Sequence, residues 1–395
     1  MLDKFSNSFN KLIDFCECEQ YKGHDPYDGL NSVVFNSIPF LKKNHFLRLC
    51  WIQFFKRSPF NFRTIFGVQK QYNSKALGLF LSGYCNLYTI TPSDNNFSKI
   101  HFFIDKIIDN ISFGYSGACW GYNFDWEARA FSQPINTPTI VSSSFVANAL
   151  LDAYDLSNDP KLLSIARSTC DFILKDLNRT YDSNDNFAFS YSPLDNTVVY
   201  NASLLGAKLL SRVYHYTKDD KLIFEAKKVV EFCCQRQHNN GSWSYGTLPF
   251  HHWIDNFHTG YNLECIADYM KYSNDFTYTG FLEKGFNFYI ETFFTKNGTP
   301  KYYDNSIYPI DIHSSAQLLI TLSHLNKTVE YNTLIQKVLN WTIDHMQSHK
   351  GYFYYQINRH FTSKIPYMRW SQAWMFYAFS EFFLKKVPVL VKTSV

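Results

Sequence analysis

The chain has 395 residues, a formal net charge of +4 and no block of like charges, which argues against a nucleic-acid partner. No stretch reaches the about 18 uncharged apolar residues of a membrane-spanning helix, and the start lacks the apolar segment of a signal peptide. Aromatic residues make up 19% of the sequence, more than packing alone usually recruits, so we expect some rings to face a ligand.

The nine cysteines are scattered and show no Cys-x-x-Cys spacing. Reduced and mostly buried thiols are the simplest interpretation. Together with the missing signal peptide they indicate a cytoplasmic protein, with a position at the inner face of the membrane as an open alternative.

Residues 1–72 are predicted to form an N-terminal extension that packs on a barrel and supplies one outer helix, from residues 8 to 20 or 41 to 57. The second segment mixes Lys and Arg with Phe, Leu and Trp, so it could instead lie on a membrane surface. Residues 21 to 31 are rich in Gly, Asp, Pro and Tyr. They form either a turn cluster or a lid over a pocket, with Asp25 or Asp28 reaching in.

Residues 73–395 contain a repeat that predicts the barrel. Six apolar segments with helical periodicity recur at intervals the size of a helical hairpin, as expected of helices buried in an inner ring. They span residues 73 to 88, 141 to 156, 200 to 216, 259 to 272, 312 to 325 and 369 to 385.

Amphipathic segments with Lys and Glu on one face alternate with the apolar ones and are predicted to be outer helices. They span residues 98 to 111, 159 to 177, 218 to 237, 276 to 294 and 328 to 347. After each of them, alternating aromatic residues follow a turn residue, as in Gly351 to Tyr355, and predict a short strand. The sequence therefore predicts an all-α fold, an (α/α)6 toroid with short β strands in the rim loops.

The chain enters the inner helices at one end of such a ring, and these entrances carry carboxylates and imidazoles. The candidate catalytic residues are Asp125, Glu127, Asp255, His258, Asp311 and His313. Asp255 and His258 share a helical face, where a carboxylate can fix the tautomer of an imidazole and raise its basicity. An Asp before a helix also caps it, so a structural role for Asp255 or Asp311 stays open.

Aromatic rings and hydrogen-bonding groups at the same rim suit a sugar, which has apolar C–H faces and a rim of hydroxyls. The candidate substrate-binding residues are Trp120, Tyr122, Trp126, Arg129, Tyr200, Asn201, Trp243, Tyr245, Trp253, Asn256, Tyr261, Tyr303, Tyr367, Arg369 and Trp370. Many of the rings could equally belong to the core. Arg129 and Arg369 could clamp a uronate carboxylate or a phosphate, or tie two loops together.

No metal and no cofactor are predicted. The Asp and His residues lack a defined ligand spacing along the chain. The sequence also contains no G-x-S-x-G, G-x-G-x-x-G or Walker motif, which argues against a serine hydrolase, a Rossmann cofactor and nucleotide hydrolysis.

Four segments, Cys119–Trp126, Trp253–Tyr261, Tyr308–Gln317 and Ile365–Trp370, resemble a bacterial family of the six-hairpin glycosidase-like superfamily encoded among surface-polysaccharide genes. Its members often carry the label delta-aminolevulinic acid dehydratase, an enzyme whose TIM barrel this repeat does not resemble. The resemblance implies a setting in capsule or exopolysaccharide production, in a superfamily of hydrolases, lyases and sugar epimerases. Residues 237 to 243 are also similar to the Q-x-x-x-G-x-W repeat of terpenoid cyclases, but the acidic motifs of those enzymes are missing.

We therefore expect acid/base chemistry on a glycan or lipid-linked oligosaccharide, as a hydrolase or lyase, because the paired acids outnumber the histidines. One alternative is a sugar (uronosyl) epimerase in which His258, His313 or a pocket tyrosine abstracts a ring proton while Arg129 or Arg369 neutralises the uronate. Another is a non-catalytic glycan-binding protein. The expected partners are an oligosaccharide or polysaccharide and, at the periphery, a membrane or the polysaccharide-synthesis machinery.

Overall fold

The computed structural model describes residues 2–386 and is mostly helical. Its helices are α1 (Leu2–Cys18), α2 (Val33–Asn36), α3 (Pro39–Lys43), α4 (His45–Arg57), α5 (Ser74–Ile90), α6 (Asp94–Asp109), α7 (Ile140–Ser157), α8 (Pro160–Asp176), α9 (Tyr200–Thr217), α10 (Asp220–Cys234), α11 (Asn256–Ser273), α12 (Thr279–Phe293), α13 (Ile312–His324), α14 (Asn332–Met346) and α15 (Trp374–Leu384). A π-helical turn over Met368–Ala373 leads into α15.

Six of these helices form a closed inner ring. Helices α5, α7, α9, α11, α13 and α15 each pack against the next, and α15 packs back against α5. In α9 nearly every residue from Tyr200 to Val213 is buried, as the small and apolar composition of the segment predicts. The predicted inner helices and the predicted fold class are therefore confirmed.

The outer ring contains the five predicted amphipathic helices, and α1 occupies its sixth position. The turns after three outer helices each contain a glycine with positive φ, at Gly241, Gly298 and Gly351. A Cβ atom on any of them would overlap the backbone of the next outer helix, which is α12, α14 and α1 respectively. Helix α1 therefore contacts the hairpin before it in the same way as α12 and α14 do.

A glutamine ties two of these turns to the following helix. Gln237 donates from Nε2 to the carbonyl of Gly241 at 3.0 Å and to a backbone carbonyl of α12 at 2.9 Å. Gln347 donates in the same way to the carbonyl of Gly351 at 2.8 Å and to a backbone carbonyl of α1 at 2.9 Å. The Gln-x-x-x-Gly spacing thus serves hairpin packing in this chain.

The strands are short and confined to the rim loops. Antiparallel pairs join β1 (Trp126–Glu127) to β2 (Ser132–Gln133) and β3 (Arg179–Tyr181) to β4 (Phe187–Phe189), and β5 (Ile310–Asp311), β6 (Gln356–Ile357) and β7 (Thr362–Ser363) form a three-stranded sheet in that order. Of the predicted aromatic strands, residues 186–191 contain β4, whereas Gly351 to Tyr355 makes one isolated bridge at Phe353.

Residues 41 to 57 take no place in the outer ring. They include α4, which packs against the turn at Asp28–Asn31 and against β1, over one sector of the rim. Leu30, Phe35 and Ile52 form a small core there, separate from the core of the two rings. None of the helices within residues 2–386 combines the length and hydropathy that a bilayer crossing requires.

Candidate active site

A cavity of about 430 Å³ opens where the chain enters the inner helices. Every one of the six entrances contributes a lining residue, namely Lys75, Val141, Asn201, His258, His313 and Arg369 in chain order. The N-terminal extension adds residues of α4 to the wall. Side chains that lie far apart in the sequence therefore meet around one space, as the predicted ring requires.

An aromatic layer separates this cavity from the opposite mouth of the ring. The ring of Tyr261 stacks on Trp374 with centroids 5.5 Å apart, and Phe145 contacts both rings edge-on at 5.6 and 5.3 Å. Phe145 and Trp374 also line a second cavity of about 320 Å³. The lumen of the toroid is therefore divided into two compartments.

His258 is held by the aspartate that caps its helix. The carboxylate of Asp255 accepts the backbone N–H of His258 at 2.9 Å and lies 2.8 Å from Nδ1 of the same residue. Because a carboxylate oxygen accepts hydrogen bonds, Nδ1 donates to Asp255, and in the tautomer with a single ring proton Nε2 is the hydrogen-bond acceptor. His258 lines the cavity while Asp255 is buried behind it, so Nε2 is the nitrogen left to act on a ligand.

His313 lies deeper, between two aromatic rings. Its ring stacks on Phe257 and lies against Trp374, with centroid distances of 4.2 Å to each. Its Nε2 lies 2.8 Å from the hydroxyl of Tyr261. Burial, with the positive charge of Lys75 nearby, lowers the pKa of His313 well below its usual value. The imidazole is therefore neutral at neutral pH.

Tyr261 lies between the imidazoles of His258 and His313. Its ring centroid lies 5.7 Å from that of His258 and 5.8 Å from that of His313. A ligand that occupies the cavity can therefore touch both imidazoles and the Tyr261 hydroxyl at once.

Lys75, at the entrance of the first inner helix, is a cavity residue that the sequence reasoning missed. Its Nζ lies 4.2 Å from the Phe145 ring centroid and forms no hydrogen bond or ion pair with any residue between 2 and 386. Burial, reinforced by the charge of Arg369, lowers its pKa well below the usual value. The signal for this residue was a charged side chain in the first turn of an otherwise apolar inner helix.

Arg369 is fixed by the N-terminal segment. It donates from Nε and Nη2 to the two carboxylate oxygens of Asp25 at 2.5 and 2.8 Å, and both side chains are almost fully buried. Asp28 pairs with the buried Arg63 at 2.6 Å, and burial raises the pKa of Asp28 to about 6. Residues 21 to 31 thus tie the extension to the last inner helix, and neither aspartate lines the cavity.

The carboxyl groups of the other candidate acids form hydrogen bonds, ion pairs or helix caps within the protein. Asp125 accepts the backbone N–H of Ile135 at 2.7 Å and lies outside the cavity lining. Glu127 lines the cavity but is paired with Arg48 of α4 at 2.5 Å. Asp311 is fully buried and caps α13, and burial raises its pKa to about 6. Glu127 is consequently the one carboxylate among the described residues that lines the cavity.

Ten of the fifteen candidate substrate-binding residues line the cavity: Tyr122, Trp126, Arg129, Asn201, Tyr245, Trp253, Tyr261, Tyr303, Arg369 and Trp370. Tyr245 and Trp253 stack face to face with centroids 4.3 Å apart. Such rings offer flat apolar surfaces of the kind that bind sugar C–H faces.

The remaining five, Trp120, Tyr200, Trp243, Asn256 and Tyr367, do not line the cavity. The indoles of Trp120 and Trp243 donate to backbone carbonyls of Ile107 and Cys233 at 2.8 and 2.9 Å, inside the core. Trp120 and Tyr122 are two residues apart, as are Trp243 and Tyr245, and the sequence does not show which ring of each pair turns inward.

The extension also supplies residues that the sequence reasoning did not assign to the site. Tyr27, Gln53, Lys56 and Arg57 line the cavity, and Lys56 donates to the Tyr27 hydroxyl at 2.8 Å. Their signal was the basic and aromatic composition of residues 41 to 57, which the sequence linked to an outer helix or a membrane surface.

Comparison with solved structures shows a shared architecture. The chain superimposes on cellobiose 2-epimerase from Bacillus thermoamylovorans with a TM-score of 0.66 and 11% identity, over 97% of this chain and 100% of that one. A D-mannose isomerase matches with a TM-score of 0.60 and 14% identity over 80% and 87% of the two chains. An α-mannanase from Bacteroides thetaiotaomicron matches with a TM-score of 0.63 and 12% identity over 82% and 88%. The fold is an (α/α)6 toroid.

Sequence comparison adds no closer relationship. No protein-family profile matches the chain, and no curated protein matches it. At these low identities the structural matches establish the fold alone, so the activity is argued from the site.

Proposed function

We propose that the protein is a sugar epimerase or isomerase that moves a proton at the carbon next to the carbonyl of an open-chain saccharide. The observation that carries the proposal is that three imidazoles, those of His251, His258 and His313, line the cavity, whereas Glu127, the one carboxylate among the described residues that lines it, is ion-paired. A glycoside hydrolase needs two carboxyl groups across the scissile bond. The cavity therefore favours proton abstraction from carbon over glycosidic cleavage.

In the proposed reaction, Nε2 of His258 takes the proton from C2, and the C–H electron pair forms the C1–C2 double bond. The negative charge that develops on the carbonyl oxygen is stabilised by N–H donors of Arg369 and Lys75. Tyr261 and His313, which share a hydrogen bond, relay the hydroxyl proton between the two oxygens. Return of that proton from His258 to C1 gives a ketose. Its return to C2 gives the epimer once rotation about the C2–C3 bond has turned the other face of the enediolate toward Nε2.

Structural relatives support this choice in part. Two of the proteins that share the fold act as a cellobiose 2-epimerase and a D-mannose isomerase, while an α-mannanase and a polysaccharide lyase share it too. The fold thus accommodates both chemistries, and the composition of the cavity decides between them. The stacked Tyr245 and Trp253 suit the apolar face of a neutral sugar.

We also propose that the substrate belongs to the production of a surface polysaccharide, as a saccharide or a lipid-linked intermediate. The support for this setting is the resemblance of the four segments in residues 119–126, 253–261, 308–317 and 365–370. The catalytic proposal does not depend on it.

The direct test is incubation with cellobiose, D-mannose and D-glucose in D2O, followed by NMR. We expect deuterium at C2 and an epimer or ketose as product. His258→Asn and Asp255→Asn should each lower the exchange rate by on the order of a hundredfold or more, with a smaller change in KM. His349→Asn, at an exposed histidine outside the cavity, is the matched control.

Glu127→Gln separates the two chemistries. If the protein is an epimerase, this variant should retain proton exchange. It should lose only the ion pair that holds Arg48 of α4 against the rim. Hydrolysis of oligosaccharides that is lost in Glu127→Gln and retained in His258→Asn would refute the proposal and establish a hydrolase.

A further inference from the structure

One continuous stretch of the chain contains no acidic residue. Residues 29–93 include no Asp or Glu, and their basic residues are Lys42, Lys43, Arg48, Lys56, Arg57, Arg63, Lys70 and Lys75. The positive charge of this stretch is larger than the net charge of +4 of the whole chain. The rest of the chain is therefore net negative. The positive charge of the protein is therefore concentrated in the extension and the first inner helix.

Helix α4, in the middle of that stretch, exposes an apolar stripe. Phe46, Cys50 and Phe54 follow each other at intervals of one helical turn, and all three are exposed, with Phe46 at 67%. On the other side of the helix, Ile52 and Phe55 are fully buried. The helix thus has a second apolar face that no described residue covers.

The exposed stripe continues across the neighbouring loop. Phe54 stacks on Phe62 with centroids 5.5 Å apart, and Phe62 contacts Phe60 at 6.1 Å. Eight large apolar side chains are exposed within this region, namely Val33, Val34, Ile38, Phe40, Phe46, Phe54, Phe60 and Ile65. We call these residues, with Lys42, Lys43 and Arg57, the aromatic-basic face. Such a concentration of exposed rings marks an interaction surface.

The cations of the stretch are used in two different ways. Arg48 is paired with Glu127, Arg63 with Asp28 and Lys70 with Glu19, so these charges serve the fold. Lys42 and Lys43 are exposed and form no ion pair with a residue in the described range 2–386. Their charge is available to a partner.

We propose that the aromatic-basic face binds an anionic lipid bilayer. Lys and Arg beside exposed Phe rings place cations at the lipid phosphates and rings at the interface below them. A second copy of the chain complements the face poorly, since a two-fold contact would bring the acid-free stretch against itself. Negative headgroups supply the charge that this stretch lacks.

The proposed docking also orients the site. Helix α4 exposes the aromatic-basic face and lines the cavity through Leu49, Gln53 and Lys56. Bound to a bilayer, the cavity mouth lies beside the headgroups, where the saccharide of a lipid-linked intermediate would be. This consequence rests on the proposed function, whereas the docking itself does not.

Vesicle flotation tests the docking with the full chain. We expect binding to vesicles of phosphatidylglycerol and phosphatidylethanolamine, little binding to pure phosphatidylcholine, and release as salt is raised toward 1 M. Lys42→Gln with Lys43→Gln, and Phe46→Ser with Phe60→Ser, should each weaken binding by about tenfold or more. Matched controls at exposed residues elsewhere, Lys296→Gln with Lys350→Gln and Phe113→Ser with Phe224→Ser, should bind as the unmodified chain does.

Two results would overturn the inference. One is equal binding of the face variants and their controls, or no binding to the anionic vesicles. The other is a concentration-dependent dimer, seen by light scattering, that the Phe46→Ser and Phe60→Ser changes dissociate without vesicles. Proton exchange on water-soluble sugars should be unchanged in the face variants, so a failure of docking is distinguishable from a failure of the proposed reaction.

Discussion

Replacing Lys75 by Met should stabilise the protein, whereas replacing Lys208 by Met should destabilise it. Both lysines lie in the lumen of the inner ring, on opposite sides of the aromatic layer. Lys75 has no hydrogen-bond or ion-pair partner among residues 2–386, while Lys208 pairs with Asp268 at 2.8 Å. Two buried amines in one barrel thus differ in whether their charge is compensated.

The magnitudes follow from that difference. A buried donor without a partner costs about 1–3 kcal/mol, so the Lys75→Met change should raise the free energy of unfolding by up to that amount. Removing one partner of a buried pair costs about 3–5 kcal/mol when the other charge is left uncompensated. Asp268 keeps His324 at 3.2 Å, so we expect Lys208→Met to cost about 3 kcal/mol, at the lower end of that range. The Lys75 variant should also lose sugar proton exchange, because the amine faces the cavity.

Urea unfolding followed by circular dichroism measures both variants. The folded pKa of Lys75 is below its unfolded value, so the unfolded chain binds a proton that the native chain releases. The stability of the unmodified protein should therefore rise with pH relative to Lys75→Met, up to the ordinary lysine pKa. Destabilisation of the Lys75 variant at all pH values would show that its charge is structural, and would refute the reasoning.

Further variants probe the ties around the site. Asp25→Asn should lower the free energy of unfolding by about 3–5 kcal/mol, because it leaves Arg369 buried without its partner, whereas Asp219→Asn in a half-exposed pair should cost under about 1 kcal/mol. Asp311 has a folded pKa of about 6, above its unfolded value. The free energy of unfolding should therefore fall as pH rises from about 4 to 6, and Asp311→Asn should remove about 3 kcal/mol of that fall in urea titrations at each pH. Gly260→Ala should cost about 1–3 kcal/mol by thermal unfolding, since its Cβ would overlap side chains of α13.

Helix periodicity and turn chemistry were sufficient to predict the architecture. The spacing of apolar segments gave the six inner helices, because a helix buried in a ring must be apolar on most faces wherever it occurs in the repeat. The capping aspartates Asp159, Asp219, Asp255 and Asp311 mark helix starts in the structure, since the side-chain oxygen accepts a backbone N–H of the first turn. The same logic showed that the helix entrances converge, which located the cavity.

The roles at the rim depended on contacts between distant parts of the chain. Asp25 and Arg369 are separated by almost the whole sequence, and no local pattern links them. Likewise, the sequence offered Glu127 and Asp311 among the candidate acids of a hydrolase. In the structure Arg48 of α4 pairs with Glu127, and Asp311 is buried in the core. The sequence was sufficient to select these residues as candidates, but it did not predict which residues they contact.

What the sequence determined by itself is the ring, because helical periodicity and helix caps are set by interactions within a few residues. What the tertiary structure decided is the composition of the cavity. The orientation of whole hairpins decides which aromatic side chain of a pair such as Trp120 and Tyr122 faces the cavity. It also decides whether a carboxylate pairs with an arginine or is open to a ligand. That orientation results from packing over the entire closed ring, so it is not encoded in any one segment.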